Sequence, residues 1–253
     1  MPWLDRYYSD RPIEGKEAML EGPEAHHLAH VMRAKPGTRV TLFDGSGAEF
    51  LAEVQAIGRG KVRLAILAKQ EVDRELPAEI VLAVALPKGD RQKWLVEKAV
   101  ELGVRRMIPL VTERSVAQPI SQALDRLRRH VIEASKQCGR NRLMEVAPPA
   151  RLTDFITDTP STLLRWIAHP DPTHSPCRPL VEQKAFGTGA AQVWMAVGPE
   201  GGFTEAEMAA ALDAGWTPVN LGPRILRVET AAIFLVALFV ARSLPGVTAI
   251  TGP

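Results

Sequence analysis

LGPRILRVETAAIFLVALFVARS, residues 221–243, joins a Gly-Pro turn and a short charged loop to the most apolar run of the chain. A membrane-spanning helix needs about 20 consecutive apolar residues, and the uncharged stretch 231–241 is too short for that. Because apolar residues occupy every face of this stretch, we predict a helix that packs against more than one neighbouring element. Arg224, Arg227 and Glu229 then lie in a loop at the edge of the core, where functional sites are commonly built.

Composition and cysteine content are typical of a globular protein from a reducing compartment. The chain has 253 residues, of which 46% are hydrophobic and 24% are charged, so it can form one large domain or two smaller ones. The N-terminal residues lack the apolar core of a signal peptide. Cys138 and Cys177 form no CxxC pair, and no Cys or carboxylate spacing supports a metal at His26 and His30. We therefore expect a cytoplasmic protein with no membrane span and no metal.

The distribution of charge is more informative than the net charge of +2. Basic residues outnumber acidic ones between residues 73 and 145, whereas the stretch before this region is balanced and the stretch after it is acidic. A local basic face can bind a polyanion even when the whole chain is near neutral. The same pattern also fits a solvated helix surface, so charge alone leaves both interpretations open.

The hydrophobic pattern divides the chain into two domains. Residues 1–72 contain short β-rich runs separated by Asp-Gly and Gly turns, which predict a small β domain. Residues 73–79 read as a linker, and residues 80–253 alternate buried strands with helices, which predicts a parallel α/β sheet. The clearest helix begins at Ser121 and has an apolar stripe opposite a basic face. Four tryptophans lie in apolar runs, and we interpret them as core residues: Trp94, Trp166, Trp194 and Trp216.

Three loops follow predicted strands and are rich in Gly and Pro. GPEGGFTEAE begins at Gly198 and leads into a helix, where Thr204 and Glu207 have the spacing of a capping box. LGPRILRVET repeats the arrangement, and IAHP follows a third strand. One glycine-rich turn can be a plain tight turn, but the carboxyl ends of parallel strands meet at one sheet edge, where ligands bind. Glu113-Arg114-Ser115 follows a further strand and either faces a substrate or is merely exposed.

QCGRNR, GPEGGFTEAE and LGPRILRVET together resemble the bacterial 16S ribosomal RNA uridine-N3 methyltransferases of the SPOUT superfamily. LFDG and HHLAHVMRAKPG are similar to the N-terminal domain of that family, so the resemblance spans nearly the whole chain. It implies a PUA-like β-barrel that helps to hold RNA and an α/β SPOUT domain with a parallel sheet and a trefoil knot. It also implies a homodimer that acts on 16S ribosomal RNA or on the small ribosomal subunit.

The resemblance further implies that S-adenosyl-L-methionine is the cofactor and that the three loops hold it. The residues expected to bind it are Ala168, His169, Pro170, Gly198, Pro199, Glu200, Gly201, Gly202, Leu221, Gly222, Ile225, Leu226, Arg227 and Thr230. The basic face of the helix that begins at Ser121, the segment after it and one arginine of the first domain are expected to contact RNA through Arg33, Arg126, Arg129, Lys136, Arg140, Asn141 and Arg142.

Methylation of uracil N3 requires a group that removes the proton from N3 or stabilises the uracil anion that its loss creates. Arg227 is our candidate for stabilising the uracil anion, and Glu229 for removing the proton or holding Arg227. A structural pair between Arg227 and Glu229 is an alternative. Two further possibilities remain at this point: an RNA-binding protein without catalysis, and a methyltransferase of the ribose 2′-hydroxyl.

Overall fold

The computed structural model describes residues 4–115, 121–170 and 192–243, so Cys177 lies outside the described residues. Contacts between residues divide the chain into two compact units. The first unit comprises Met1–Glu75 together with Ile132–Leu143, and the second comprises Leu76–Val131 together with Met144–Pro253. A segment from the middle of the chain is therefore part of the N-terminal unit.

The first unit contains a five-stranded sheet. Its strands are β1 (Arg6–Tyr8), β2 (Glu17–Glu21), β3 (Arg39–Phe43), β4 (Ala48–Gly58) and β5 (Lys61–Glu71), in the order β1-β3-β4-β5-β2. All neighbouring pairs are antiparallel except β1 and β3, which are parallel. Alternate residues of β4 are buried over its first half, as expected for a sheet with one face on a core. The predicted β-rich unit is confirmed.

The helix of the first unit ends earlier than the sequence suggests. α1 (Gly22–His26) continues as a π-helical turn over His27–Val31, although the sequence HHLAHVMRAKPG suggests a helix that runs on to Pro36-Gly37. Arg33 has a φ of 53°, in the left-handed region that stops a helix, and the Ala34 amide donates to the Leu28 carbonyl at 3.1 Å. The chain therefore turns before the Pro-Gly pair is reached.

The second unit contains a parallel sheet, as the alternating pattern predicts. Its strands are β6 (Glu79–Val84), β7 (Arg106–Val111), β8 (Glu145–Val146), β9 (Ala150–Arg151), β10 (Leu164–Ala168), β11 (Gln192–Val197) and β12 (Thr217–Val219). The order is β12-β10-β11-β6-β7-β8, with β9 paired to β7, and every pair is parallel. Residues 80–84 of β6 are all buried, as a central parallel strand requires.

Five helices accompany this sheet in the described ranges. They are α2 (Arg91–Glu101), α3 (Ser121–Cys138), α4 (Leu152–Asp158), α5 (Glu205–Asp213) and α6 (Val228–Ser243), and the division between the units falls within α3. Gly103, with a φ of 83°, follows the end of α2, where a glycine commonly stops a helix. Thr204 caps α5 in a complete capping box with Glu207. Within the described chain, no helix has the length and apolarity needed to cross a bilayer.

The apolar helix begins three residues before the uncharged stretch 231–241 from which it was predicted. The Ala231 amide donates to the Arg227 carbonyl at 2.8 Å, so α6 starts at Val228 and Glu229 lies in its first turn. The prediction of a loop position is therefore wrong for Glu229. α6 packs against α2, β6 and β11, and it buries Leu235 and Phe239.

The prediction that four tryptophans lie in the core is confirmed for some of them and wrong for one. Trp166 and Trp216 are buried, and Trp194 is half-buried. Trp94 is 42% exposed, so the core prediction is wrong there. On α2, Trp94 lies on a different face from Leu95 and Ala99, which are buried.

Candidate functional site

Three loops meet at the carboxyl ends of β10, β11 and β12, as predicted from their places in the sequence. β10 pairs with both β11 and β12, which makes the three strand ends neighbours. The loops enclose a cavity of about 240 Å³. Among the residues predicted to bind a cofactor, those that line the cavity are Ala168, His169, Pro170, Gly198, Pro199, Glu200, Gly201, Gly202, Leu221, Gly222, Ile225 and Leu226. Arg227 and Thr230 are not among the lining residues.

Glycine is needed at particular points of the loop that follows β11. Gly202 has a φ of 69°, and its amide donates to the Pro199 carbonyl at 2.8 Å, which closes a tight turn. A Cβ on Gly198 would lie 3.1 Å from the Phe203 ring, which is closer than most such contacts. Gly201 has neither constraint, since its Cβ would meet Arg114 at an ordinary 3.4 Å. The loop is therefore shaped by Gly198 and Gly202.

Residues that follow β7 hold this loop in place. Arg114 Nη1 donates to the Gly201 carbonyl at 2.8 Å, and Glu207 Oε1 accepts from the Glu113 amide at 2.9 Å. The other carboxylate oxygen of Glu207 accepts from the Thr204 amide at 2.8 Å within the capping box. Glu207 thus joins the end of β7 to the start of α5. The sequence indicates the cap but offers no sign of the link to β7.

Glu229 is buried and forms an ion pair that the sequence did not suggest. Its side chain is 8% exposed, and Oε1 lies 3.6 Å from Nη1 of Arg91, the first residue of α2. Glu229 Oε2 has no hydrogen-bond partner. Arg91 Nη2 also lies 3.5 Å from Glu200 Oε1, in the cavity wall. Arg227 is exposed, so the pairing considered between Arg227 and Glu229 is not the arrangement present.

The residues predicted to contact RNA fall into two groups. Arg33, Arg126, Arg129 and Arg142 are exposed, and Arg126 Nη2 approaches Gln92 Oε1 at 3.4 Å. The guanidinium of Arg142 lies beside Gly47, where an added Cβ would be 2.9 Å from it.

The second group consists of Lys136, Arg140 and Asn141, whose polar groups are bonded to other residues of the first unit. Lys136 Nζ lies 2.8 Å from Glu24 Oε1. Arg140 is 4% exposed and donates to Glu75 at 2.9 Å through Nε. Asn141 is 3% exposed, accepts a hydrogen bond from Arg6 and donates to the Val72 carbonyl at 3.2 Å. These contacts give the three side chains a structural task in the unit that contains them.

The described residues contain no group of His, Cys, Asp and Glu side chains arranged to hold a metal ion. The rings of His26 and His30 lie 4.9 Å apart and are tilted against each other. They form an aromatic contact at the end of α1.

Models of known protein families match residues in both units. A family model described as RNA methyltransferase domain matches residues 74–240, and one described as RNA methyltransferase PUA domain matches residues 20–67. The chain is 32% identical over 241 residues to ribosomal RNA small subunit methyltransferase E of Mycobacterium bovis, covering 89% of this chain and 87% of the relative.

Two solved structures are similar along nearly their whole length. A methyltransferase from Legionella pneumophila, solved with the cofactor SAM bound, has a TM-score of 0.83 and 31% identity, with 94% of this chain and 97% of that chain covered. Ribosomal RNA small subunit methyltransferase E from Neisseria gonorrhoeae, bound to S-adenosyl methionine, also has a TM-score of 0.83 and 31% identity, with coverages of 93% and 96%. With a family model over more than half of its length and relatives above 30% identity along most of theirs, the chain belongs to the ribosomal RNA small subunit methyltransferase E family of RNA methyltransferases.

Proposed function

We propose that this protein transfers a methyl group from S-adenosyl-L-methionine to N3 of a uridine in 16S ribosomal RNA, in the cytoplasm. The observation that carries the proposal is the cavity formed by three loops at the carboxyl edge of the parallel sheet. This is the edge at which open α/β sheets bind ligands. Family membership supports the same reaction class.

The residues around the cavity suit this cofactor. Phe203, Leu221 and Ile225 offer apolar surface for an adenine ring, and the carboxylate of Glu200 suits a ligand that carries positive charge. Ile225 is 82% exposed, which is unusual for isoleucine and fits a side chain that a ligand covers. When bound, the cofactor supplies an electrophilic methyl group, and the loops fix its orientation.

The protein itself must remove the proton from uracil N3 and stabilise the anion that results. We assign Arg227 to stabilising the negative charge that spreads over O2 and O4, since a guanidinium presents several donors. We assign Glu229 to accepting the proton: one of its carboxylate oxygens has no hydrogen-bond partner, but the side chain is buried and does not line the cavity, so a local movement must open it to the substrate. Its ion pair with Arg91 disfavours the alternative in which Glu229 holds Arg227.

RNA binding follows from exposed cations on each unit. We assign Arg33 and Arg142 of the first unit, with Arg126 and Arg129 of the second, to phosphate contacts. We assign Lys136, Arg140 and Asn141 to holding the segment that follows α3, because their polar groups are already bonded.

The remaining proposals concern domains and assembly. Residues 1–72 form the PUA-like RNA-binding domain, 73–79 the linker and 80–253 the SPOUT domain with its trefoil knot, although residues 132–143 belong by their contacts to the first unit. The active form is a homodimer that uses α6, because Phe234 on this helix and Trp94 on α2, which packs against it, are both large exposed apolar side chains.

The decisive experiment combines calorimetry with mass spectrometry of ribosomal RNA nucleosides. We expect S-adenosyl-L-methionine to bind the full chain, and 3-methyluridine to appear in small-subunit RNA only when the protein and cofactor are both added. Cofactor binding with methylation at a ribose 2′-hydroxyl would favour the alternative methyltransferase. RNA binding with neither cofactor binding nor methylation would identify an RNA-binding protein without catalysis.

A further inference from the structure

The first turn of α2 departs from the usual charge preference of a helix. A helix N-terminus carries partial positive charge and favours acidic residues, but the first turn of α2 contains Arg91 and Lys93 and no acidic residue. The Asp90 side chain at the N-cap makes no capping hydrogen bond. A local rule that is broken without a local benefit is typical of residues kept for another task.

Arg91 faces two carboxylates that belong to different elements. Its Nη2 lies 3.5 Å from Glu200 in the loop after β11, and its Nη1 lies 3.6 Å from Glu229 in the first turn of α6. These distances are longer than those of short charged hydrogen bonds, so the contacts are ion pairs. One guanidinium therefore serves both the cavity wall and the buried carboxylate.

Glu229 depends on this contact more than Glu200 does. The Glu229 side chain is 8% exposed, whereas that of Glu200 is 43% exposed. Burial of a carboxylate is costly unless a cation or hydrogen bonds compensate it, and Oε2 of Glu229 has no hydrogen-bond partner. Among the described residues, Arg91 is the cation that lies within ion-pair distance of Glu229. Loss of Arg91 would leave Glu229 buried without a counter-charge.

We propose that Arg91 is a positioning residue that couples the cofactor loop, through Glu200, to the buried carboxylate of Glu229. The inference rests on the proposed function, in which the cavity binds the cofactor and Glu229 accepts the proton. Because the same guanidinium holds both groups, its loss should impair cofactor binding and the chemical step together. Arg114 offers the contrast, since it holds the same loop through the Gly201 carbonyl and not through a carboxylate.

The test compares Arg91→Ala, Arg91→Lys and Arg114→Ala in the full chain, with Lys98→Ala as the control on the same helix. Lys98 pairs with Glu101 at the exposed far end of α2, so its loss should leave rate and affinity within about twofold of the parent. Cofactor affinity is measured by calorimetry, and the rate of one methyl transfer is measured at saturating cofactor and RNA.

We expect Arg91→Ala to weaken cofactor binding by about fivefold and to slow the saturated reaction by about 10- to 100-fold. Arg114→Ala should weaken cofactor binding but slow the saturated reaction much less. Arg91→Lys should recover part of the lost rate, because an ammonium can pair with one carboxylate but cannot span two as a guanidinium does. A merely structural role would give neither this separation of rate from affinity nor the partial recovery.

A double-mutant cycle decides whether Arg91 acts through Glu229. If it does, Arg91→Ala should cost much less rate in a Glu229→Gln background than in the parent. Equal costs in both backgrounds, or a parental rate for Arg91→Ala, would overturn the inference while leaving the proposed function intact. A parent protein that neither binds the cofactor nor transfers a methyl group would instead overturn the proposed function, and this inference with it.

Discussion

At the scale of single residues, neighbouring positions in one loop have different tasks. Arg224 and Arg227 are both exposed, but Arg224 lines the cavity and Arg227 does not. The two arginines of LGPRILRVET, Arg224 and Arg227, therefore have different surroundings. Arg224 is suited to contact a ligand inside the cavity, and Arg227 is suited to meet a substrate that arrives from solvent.

The first prediction separates these two arginines. Arg227→Ala should slow the single methyl transfer by about 10²-fold, as expected when one well-placed charged donor to a developing anion is lost. It should change cofactor affinity little, because its effect appears as the uracil anion forms. Arg224→Ala should show the opposite balance, with weaker cofactor binding measured by calorimetry. A single-turnover rate for Arg227→Ala close to that of the parent would remove Arg227 from the mechanism.

At the scale of elements, β4 connects distant parts of the first unit through one carboxylate. Glu49 accepts from Arg6 of β1 at 2.9 Å and from Arg74, beyond β5, at 3.0 Å. Burial works against ionisation of Glu49, but the hydrogen bonds and charges of Arg74 and Arg6 outweigh it and lower its pKa. The ionised carboxylate is therefore stabilised in the folded state.

The second prediction concerns the pH dependence of this contact. A group whose pKa is lowered by folding stabilises the protein above its unfolded pKa, about 4.3 for Glu, and this contribution is lost as pH falls through the folded pKa. Glu49→Gln should therefore lower the free energy of unfolding at pH 7 by about 1–3 kcal/mol. The difference from the parent should shrink as the pH falls below about 4.3.

The control for this prediction lies on the same strand. Glu53 pairs with Arg39, whose side chain is 62% exposed, so Glu53→Gln should change stability little. Urea unfolding at several pH values gives the measurement. A difference between Glu49→Gln and the parent that stays constant from pH 7 to pH 3 would contradict the assignment.

The third prediction concerns the segment that follows α3, in which buried and exposed arginines are two positions apart. Arg140 is buried and paired with Glu75, so Arg140→Ala should lower the free energy of unfolding by about 3 kcal/mol. Arg142 is exposed, so Arg142→Ala should leave stability unchanged and weaken RNA binding. It should also reduce the salt dependence of RNA affinity, by a slope of about 0.7–0.9 for one phosphate contact. Selective loss of RNA affinity in a fully stable Arg140→Ala protein would reverse these assignments.

At the scale of the whole molecule, the surface near α6 bears on assembly. Phe234 on α6 and Trp94 on α2 are each 42% exposed, and these two helices pack against each other. Large exposed apolar side chains are typical of interfaces between protein chains. They are therefore the side chains through which the proposed homodimer is best tested.

The fourth prediction tests the homodimer. Phe234→Asp should shift the protein from dimer to monomer in sedimentation experiments at micromolar concentration, because a buried aspartate without a partner disfavours an interface. Leu212→Asp is the matched control, since Leu212 is 48% exposed on α5, outside the proposed interface. A parent protein that sediments as a monomer, or dimerisation that survives in Phe234→Asp, would contradict the role of α6.

The sequence by itself determined several of the elements and the place of the cavity. Residues 80–84 form a buried strand because they are uniformly apolar, and Thr204 and Glu207 start a helix because their groups satisfy its first amides. Three loops follow parallel strands, and this places them at one edge of the sheet. Each of these results depends on periodicity or on hydrogen bonds between near neighbours, which can be read from a short stretch of chain.

Only the tertiary structure decided which charged groups are available for function. Arg140 was expected to contact RNA, but it is buried and paired with Glu75. Glu229 was expected in a loop beside Arg227, yet it is buried in α6 against Arg91 from a distant helix. Ion pairs such as these depend on how elements far apart in the chain pack together. The local sequence does not show that packing, because a side chain of a given type has the same local preferences whether it lies in solvent or in the core.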